Sequence, residues 1–318
     1  MPQNTMHSNI KLTQSLDAFF HTVEGHQSIS GTSLIMSFFG DYLWVCGGGI
    51  WLGSLIQAME TLGFNQRVVR SSVFRLHKDG WLIIRKEGRK SYYFLDPERY
   101  NEMLEANKKI YHDQAIQWNQ RWNLVYAPIG PTHLNKDKIA FMQRRGFGVL
   151  GKDCFIQPDL QQLTAEVKES IFSRIPEAKI FQQSELQTSE QQNIKSTIQE
   201  IWDVEKIGQD YQHFCQLFEP IDVLLKKVNP YEIEPEQAFK LRLLVIHFYR
   251  RIIVKDPSLP VALLPTTWPR NQAQKIVSSI YKKVHEQSLK YILNNGETTS
   301  GKLPVPSPNY YIRFGGLT

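Results

Sequence analysis

Residues 65–80 read Asn65-Gln-Arg-Val-Val-Arg-Ser-Ser-Val-Phe-Arg-Leu-His-Lys-Asp-Gly80, and residues 81–95 continue Trp81-Leu-Ile-Ile-Arg-Lys-Glu-Gly-Arg-Lys-Ser-Tyr-Tyr-Phe-Leu95. Asn65 has the side chain of a helix N-cap, and Gly80 is a natural stop, so the spacing predicts a helix over 66–79. At 100° per residue, with Arg67 at zero, Lys78 falls near about 20°, Ser71 near about 40°, Arg75 near about 80° and Arg70 near about 300°. Val69, Val73 and Leu76 fall between about 180° and 240° on the same wheel. One face is therefore basic and hydroxylic, and the opposite face is apolar. After Gly80 the period changes from helix to strand. Trp81–Arg85 and Ser91–Leu95 are aromatic and aliphatic, and the basic stretch Lys86-Glu-Gly-Arg-Lys90 between them carries a glycine suited to a tight turn.

Upstream, Thr32–Tyr42 carries Leu34, Ile35, Phe38 and Phe39 at helical spacing. Gly47-Gly48-Gly49 breaks the chain. No Lys-Ser/Thr follows it, as a phosphate-cradling loop would need, so it reads as a turn before a second helix over Ile50–Leu62, ended by Gly63. The order helix, helix, helix, strand, basic turn, strand is that of a winged helix-turn-helix. In such a unit the third helix enters the major groove. Arg67, Arg70 and Ser71, in its N-terminal half, are then placed for base edges, with arginine suited to guanine. Arg75 and Lys78 are placed for phosphates, and Arg85, Lys86, Arg89 and Lys90 for the backbone or the minor groove. The turn taken alone reads equally well as a solvated charged hairpin. Phe74, near about 340° on the polar face, has two readings: contact with a thymine methyl, or packing against the hairpin or the following helix.

The charge count agrees with a polyanionic partner. The chain's formal net charge is +6, and residues 65–90 hold eight Lys and Arg against Asp79 and Glu87, so this short stretch accounts for all of it.

The remainder reads as follows. Residues 1–24 look like a loose arm with a short amphipathic stretch, Leu12–Phe20. Residues 97–119 look like a long polar helix, a linker or a dimer element. Strand-like and helical segments then alternate: Trp122–Ala127, Lys136–Arg145, Gly148–Ile156, Asp159–Phe172 and Ala178–Phe181, a small α+β unit. Helices follow at about 194–207, 208–228, 235–255 and 271–293, with Leu243–Val254 apolar nearly all round and hence a buried core helix. Thr298–Pro308 is a Pro-rich loop. The division expected is 25–96 for the DNA-binding domain, 97–119 for the linker, 120–190 for the middle domain and 191–318 for a helical C-terminal domain. The fold class is α+β.

With 318 residues, 42% hydrophobic and 21% charged, the chain is long enough for two or three globular cores. No apolar run spans a membrane and no signal peptide is visible, so a cytoplasmic protein is expected. Cys46, Cys154 and Cys215 are far apart, giving neither a disulfide framework nor a metal-ligand pattern, and no cofactor is expected. No Gly-x-Ser-x-Gly elbow or Cys/His arrangement supports a thioester-cleaving enzyme. A nuclease reading of the middle unit lacks an acid at the end of its first strand, which runs Trp122–Ala127 into Pro128.

Several motifs together resemble the PaaX family of phenylacetate-catabolism repressors. They are Ser30-Gly-Thr-Ser-Leu-Ile, Gly49-Ile-Trp-Leu-Gly-Ser-Leu, Arg67-Val-Val-Arg-Ser-Ser-Val-Phe-Arg-Leu, Lys78-Asp-Gly-Trp, His247-Phe-Tyr-Arg-Arg, Lys255-Asp-Pro-Ser-Leu-Pro, Leu263-Leu-Pro, Trp268 and Arg313-Phe-Gly-Gly-Leu. The resemblance covers nearly the whole chain. It implies a GntR-like winged helix, a middle ferredoxin-like (Cas2-like) domain and a mainly helical C-terminal domain. It also implies a homodimer on palindromic double-stranded operator DNA, released by the effector phenylacetyl-CoA.

A site for such an effector needs basic groups at its mouth and an aromatic pocket inside. His247, Tyr249, Arg250 and Arg251 supply these ingredients within one run. The alternative is that these charges satisfy a buried helix through an internal salt bridge, for example to Asp256, or through a dimer contact. Arg144 and Arg145, at the end of a middle-domain helix, read equally as helix C-terminal cations or as effector contacts. Trp268 and Arg313 are weaker candidates.

Overall fold

A computed structural model describes residues 2–26, 29–112, 118–128, 135–160, 163–186 and 191–317. The fold is α+β, mixing helices with antiparallel sheets. The chain divides into two compact units. The first comprises Met1–Asp113, Phe214–Arg251 and Gln272–Thr318, and the second Gln114–His213 and Ile252–Asn271.

The first unit opens with α1 (Pro2–His26) and α2 (Gly31–Phe38), followed by a single π-helical turn, Phe39–Leu43. Residues 2–26 are thus helical, not a loose arm. The reason is a stripe, Leu12, Leu16, Phe19, Phe20 and Val23, recurring at three- and four-residue intervals and buried throughout. Phe19 meets Phe218 edge-on at 5.4 Å. The chain then forms β1 (Gly49–Trp51), α3 (Leu52–Glu60), α4 (Gln66–Lys78), β2 (Leu82–Glu87) and β3 (Lys90–Leu95). Ile50 and Trp51, expected as the start of a helix, instead pair with Tyr93 and Tyr92 of β3. The sheet has the order β1-β3-β2, all antiparallel. The basic turn is shorter than the sequence suggested. Glu87 faces Lys90 across a two-residue link, where Gly88 takes φ +57°, a conformation other residues adopt at a cost.

Helix α4 begins as its sequence predicts. The Asn65 side chain accepts from the Val68 amide at 3.0 Å. Replacing Asn65 by Ala should lower stability by about 1 kcal/mol, read as a shift in urea midpoint at unchanged slope. Val69, Ser72, Val73 and Leu76 are its buried face. Gly31 lets α2 lie close to this helix, because a Cβ there would sit 2.8 Å from Ser72 Oγ and 3.1 Å from Val68 Cγ1.

After a 3-10 turn, Pro97–Arg99, α5 covers Tyr100–Tyr111 and ends at His112, whose backbone is extended. The long linker helix over 97–119 is therefore not continuous: Trp118 and Asn119 are non-helical, and the stretch 113–117 lies outside the described residues. Nor is α5 a solvated strut. Met103, Asn107, Ile110 and Tyr111 are buried.

In the second unit, β4 (Trp122–Tyr126), α6 (Asn135–Gln143), β5 (Gly148–Gly151), β6 (Cys154–Pro158), α7 (Ala165–Arg174) and β7 (Lys179–Ser184) follow in order, then α8 (Gln191–Trp202). The sheet is antiparallel with order β5-β6-β4-β7. The segment Gly148–Ile156, read as one strand, is a hairpin turning at Asp153, which takes φ +63°. Strand alternation divides two apolar clusters: Val125 and Phe155 pack with Ile171 and Ile175, whereas Trp122 and Ile156 pack with Ile198 and Val204.

Helices α9 (Val204–Leu225), α10 (Pro235–Ile253) and α11 (Arg270–Asn295) contribute residues to both units. The short hairpin β8 (Glu297–Thr298) and β9 (Gly301–Lys302) precedes the C-terminal turns. As its sequence predicts, α10 is buried nearly all round from Leu241 to Ile253. Among the described residues no helix is long and apolar enough to cross a membrane.

The first unit's core holds charge. Asp41 is wholly buried and accepts from Arg242 Nε at 2.8 Å, Arg242 Nη2 at 3.1 Å and Arg313 Nη1 at 2.8 Å. The hydroxyls of Tyr111 and Tyr281 donate to the same carboxylate at 2.8 and 2.9 Å. Burial alone would raise the Asp41 pKa, but the two guanidiniums outweigh it and hold it below its ordinary 3.8. Arg313, a weak effector candidate from sequence, is thus a structural cation, 3% exposed.

Candidate nucleic-acid interface

With Val69, Val73 and Leu76 buried, the opposite face of α4 must point outward. Arg67, Arg70, Ser71, Arg75 and Lys78 are all exposed, in the arrangement the wheel predicts. Phe74 sits among them at 66% exposed. That removes the reading in which it packs against the hairpin or α5. Phe74 is the only aromatic residue of α4, and its ring is left in water on a basic face, an unusual place for a large apolar group.

The hairpin β2–β3 carries the second basic group. Arg85, Lys86 and Arg89 are exposed. The Arg85 guanidinium lies over the Phe94 ring at 4.6 Å, a contact that orients the head while the residue stays exposed. Lys90 differs from the others. Its ammonium pairs with Glu297, stands 4.5 Å from the Trp51 ring centroid, and shares Glu297 with the Tyr92 hydroxyl at 3.1 Å. Lys90 therefore ties the hairpin to β1 and β8, and its charge is already matched. No sequence signal joined residues 90 and 297.

The run His247–Arg251 does not converge on one place, because neighbours on a helix point about 100° apart. His247 is wholly buried. Its Nδ1 shares a 3.0 Å hydrogen bond with Ser37 Oγ, and desolvation, with Arg250 and Arg251 nearby, pushes its pKa down to about 3, so it is neutral. Tyr249 is core, with its ring 5.7 Å from Phe214. Arg251 is exposed. Arg250 is half-buried and reaches α2: Nε donates to Ser37 Oγ at 2.9 Å, and Nη2 to Ser33 O and Oγ at 3.1 and 3.3 Å. Asp256, considered as a salt-bridge partner, is engaged by Tyr211 at 2.7 Å, the Ser258 amide at 2.7 Å and Arg270. In the second unit, Arg144 is exposed. Arg145 lies over the Phe141 ring at 3.7 Å and donates to Ser170 and Phe141 O, as a helix-terminal cation does. Trp268 packs edge-on to Tyr211 at 5.9 Å.

The first unit also contains a cleft of about 350 Å³ beside α4. Arg250 and Arg75 line it, together with Ser30, Thr32, Ser33 and Met103. Except for Arg75 and Arg250, its polar residues escaped sequence reasoning. The Ser30-Gly-Thr-Ser motif was the one available signal.

Comparisons with known proteins agree over both ends of the chain. Residues 30–98 match the model described as PaaX-like protein, and residues 202–294 the model described as PaaX-like protein C-terminal domain. The chain is 35% identical over 308 residues to the transcriptional repressor PaaX of Escherichia coli (strain K12), covering 95% of each. A solved structure, an uncharacterised protein of Mycobacterium tuberculosis, aligns with 82% of this chain and 99% of its own at 15% identity and a TM-score of 0.46. The two family models and the Escherichia coli relative put the chain among transcriptional repressors, not enzymes. It belongs to the PaaX-like family.

Proposed function

We propose that the chain represses phenylacetate catabolic genes by binding operator DNA through a winged helix-turn-helix, with α4 in the major groove and the β2–β3 hairpin as the wing. The observation that carries this reading is the one-sided α4: apolar Val69, Val73 and Leu76 inside, Arg67, Arg70, Ser71, Arg75 and Lys78 outside. Arg67, Arg70 and Ser71 read base edges. Arg75, Lys78, Arg85, Lys86 and Arg89 grip phosphates, while Lys90 positions the wing. In the second unit the element order β-α-β-β-α-β, with neighbours β5-β6-β4-β7, supports a ferredoxin-like domain. The protein acts as a homodimer on a palindromic site, with the helical C-terminal part serving dimerisation and effector sensing, and phenylacetyl-CoA releases it.

The test is a mobility shift on the DNA upstream of the chain's own operon, with and without phenylacetyl-CoA. A shifted band lost on adding the effector is expected. A band that persists at saturating effector removes the inducer and leaves the DNA reading standing, whereas no band at low salt removes both.

Phe74 sharpens the prediction. Its exposed ring, placed between Arg67 and Arg70 on the wheel, suits a thymine methyl. Phe74→Ala should relax preference at one base position by about 1 kcal/mol and leave the salt dependence of binding unchanged. Affinities for a set of single-base operator variants check this.

A further inference from the structure

Apart from Arg75, the residues that line the cleft beside α4 have no part in the DNA reading. Its walls come from α2, α4, α5 and α10. Three observations bear on what it holds. First, among the described residues Arg250 forms no ion pair: its donors go to serine hydroxyls and a carbonyl. Desolvation lowers its pKa to about 10. A cation withdrawn from water without a counter-ion is compensated when an anion arrives. Second, Ser30 at the N-cap of α2 makes no side-chain cap bond, and no acid lies in that helix's first turn. The first-turn amides of α2 lack intrahelical acceptors, and Ser30, Thr32 and Ser33 line the cleft beside them. Third, Met36, Leu76, Trp81 and Met103 give the same cleft an apolar wall. Asp79 and Glu102 also line it, and Glu102 is held by Arg99 at 2.8 Å.

We propose that this cleft binds a small organic anion, a carboxylate or phosphate head on an apolar body, with Arg250 and the first turn of α2 holding the head and the apolar wall holding the body. Because Arg75 and Leu76 of α4 form part of the wall, occupancy bears directly on the helix that reads DNA. This last step rests on the repressor reading, but binding itself does not. The volume lies at the small end of ligand pockets, about 300–1,000 Å³, so the cleft takes a whole small acid or one end of a larger carrier.

Calorimetry on the full chain, without DNA, tests it with four probes: phenylacetate, phenylacetyl-CoA, coenzyme A alone and inorganic phosphate. Binding of phenylacetate assigns the head as a carboxylate, and binding of coenzyme A or phosphate assigns it as a phosphate. Arg250→Gln should weaken the bound probe at least tenfold, and Arg250→Lys should recover part of the loss. Ala106→Phe, which puts a ring into the cleft from α5 and keeps the Arg250 side chain, should weaken it too while leaving the circular dichroism spectrum unchanged. No binding of any probe to the wild type, or wild-type affinity in both Arg250→Gln and Ala106→Phe, would overturn the proposal. Operator affinity of the probe-free variants, measured in parallel, should stay within about threefold of wild type, so loss of the cleft and loss of DNA binding are told apart.

Discussion

Arg67→Ala with Arg70→Ala is expected to weaken operator binding about 10²–10⁴-fold per subunit, because each arginine that makes a bidentate contact to a base is worth about 1–3 kcal/mol. Discrimination should fall with affinity, so that the variant binds operator and random duplex nearly alike. The paired control is Lys86→Ala with Arg89→Ala on the wing. Those side chains are assigned to phosphates, so removing them should lower affinity across all sequences and reduce the magnitude of the slope of log K against log salt by about one each. The wild-type slope should be about −3 to −5 per subunit, from three to five neutralised phosphates. All four side chains are exposed, so thermal midpoints should hardly move. Anisotropy titrations at several salt concentrations measure both quantities. If the α4 pair changed only the slope, and the wing pair only the base preference, the assignment of helix and hairpin would be inverted.

What was legible in the sequence and what was not follow from the range of the signals. Helix α4 was legible because its cap, its apolar face and its basic face all lie within fourteen residues, 65–78, and depend on nothing distant. The α1 helix was harder to see, because its stripe is interrupted by polar residues and gains meaning only against partners such as Phe218, two hundred residues away. Strand β1 has three residues, too few for a period to register, and it exists because β3 offers a free edge. Contiguity misled at His247–Arg251. Adjacent residues share a line of text but not a helix face, so only Arg250 reaches the cleft. The cleft itself joins residues 30–36, 75–81, 102–106 and 250. No local pattern announces such a meeting, and the same holds for Lys90 and Glu297.

The largest stability effect should come from Asp41. This single carboxylate faces two guanidiniums, Arg242 and Arg313, and all three side chains are almost wholly buried. The cluster therefore carries an excess of positive charge among the described residues, and Asp41 is the group that makes it tolerable. Asp41→Asn keeps the shape and removes the charge, leaving two buried cations with no counter-ion. Breaking a buried pair in this way costs about 3–5 kcal/mol, a large part of a typical stability of about 5–15 kcal/mol. Removing a cation instead leaves a balanced pair. Arg313→Met should therefore be the mildest change, since the two-pronged Arg242 contact survives it, and Arg242→Met should be intermediate because Tyr42, Tyr281 and Tyr310 all lie against that guanidinium. The sign with pH follows from the lowered carboxyl pKa. The stabilisation is present above about 3.8 and is lost as pH falls through the lower folded-state value. Urea midpoints at neutral pH should thus rank Asp41→Asn below Arg242→Met below Arg313→Met. The gap between wild type and Asp41→Asn should narrow in acid. An Asp41→Asn variant as stable as wild type at pH 7 would mean that the tyrosine hydroxyls, not the charges, hold this core together.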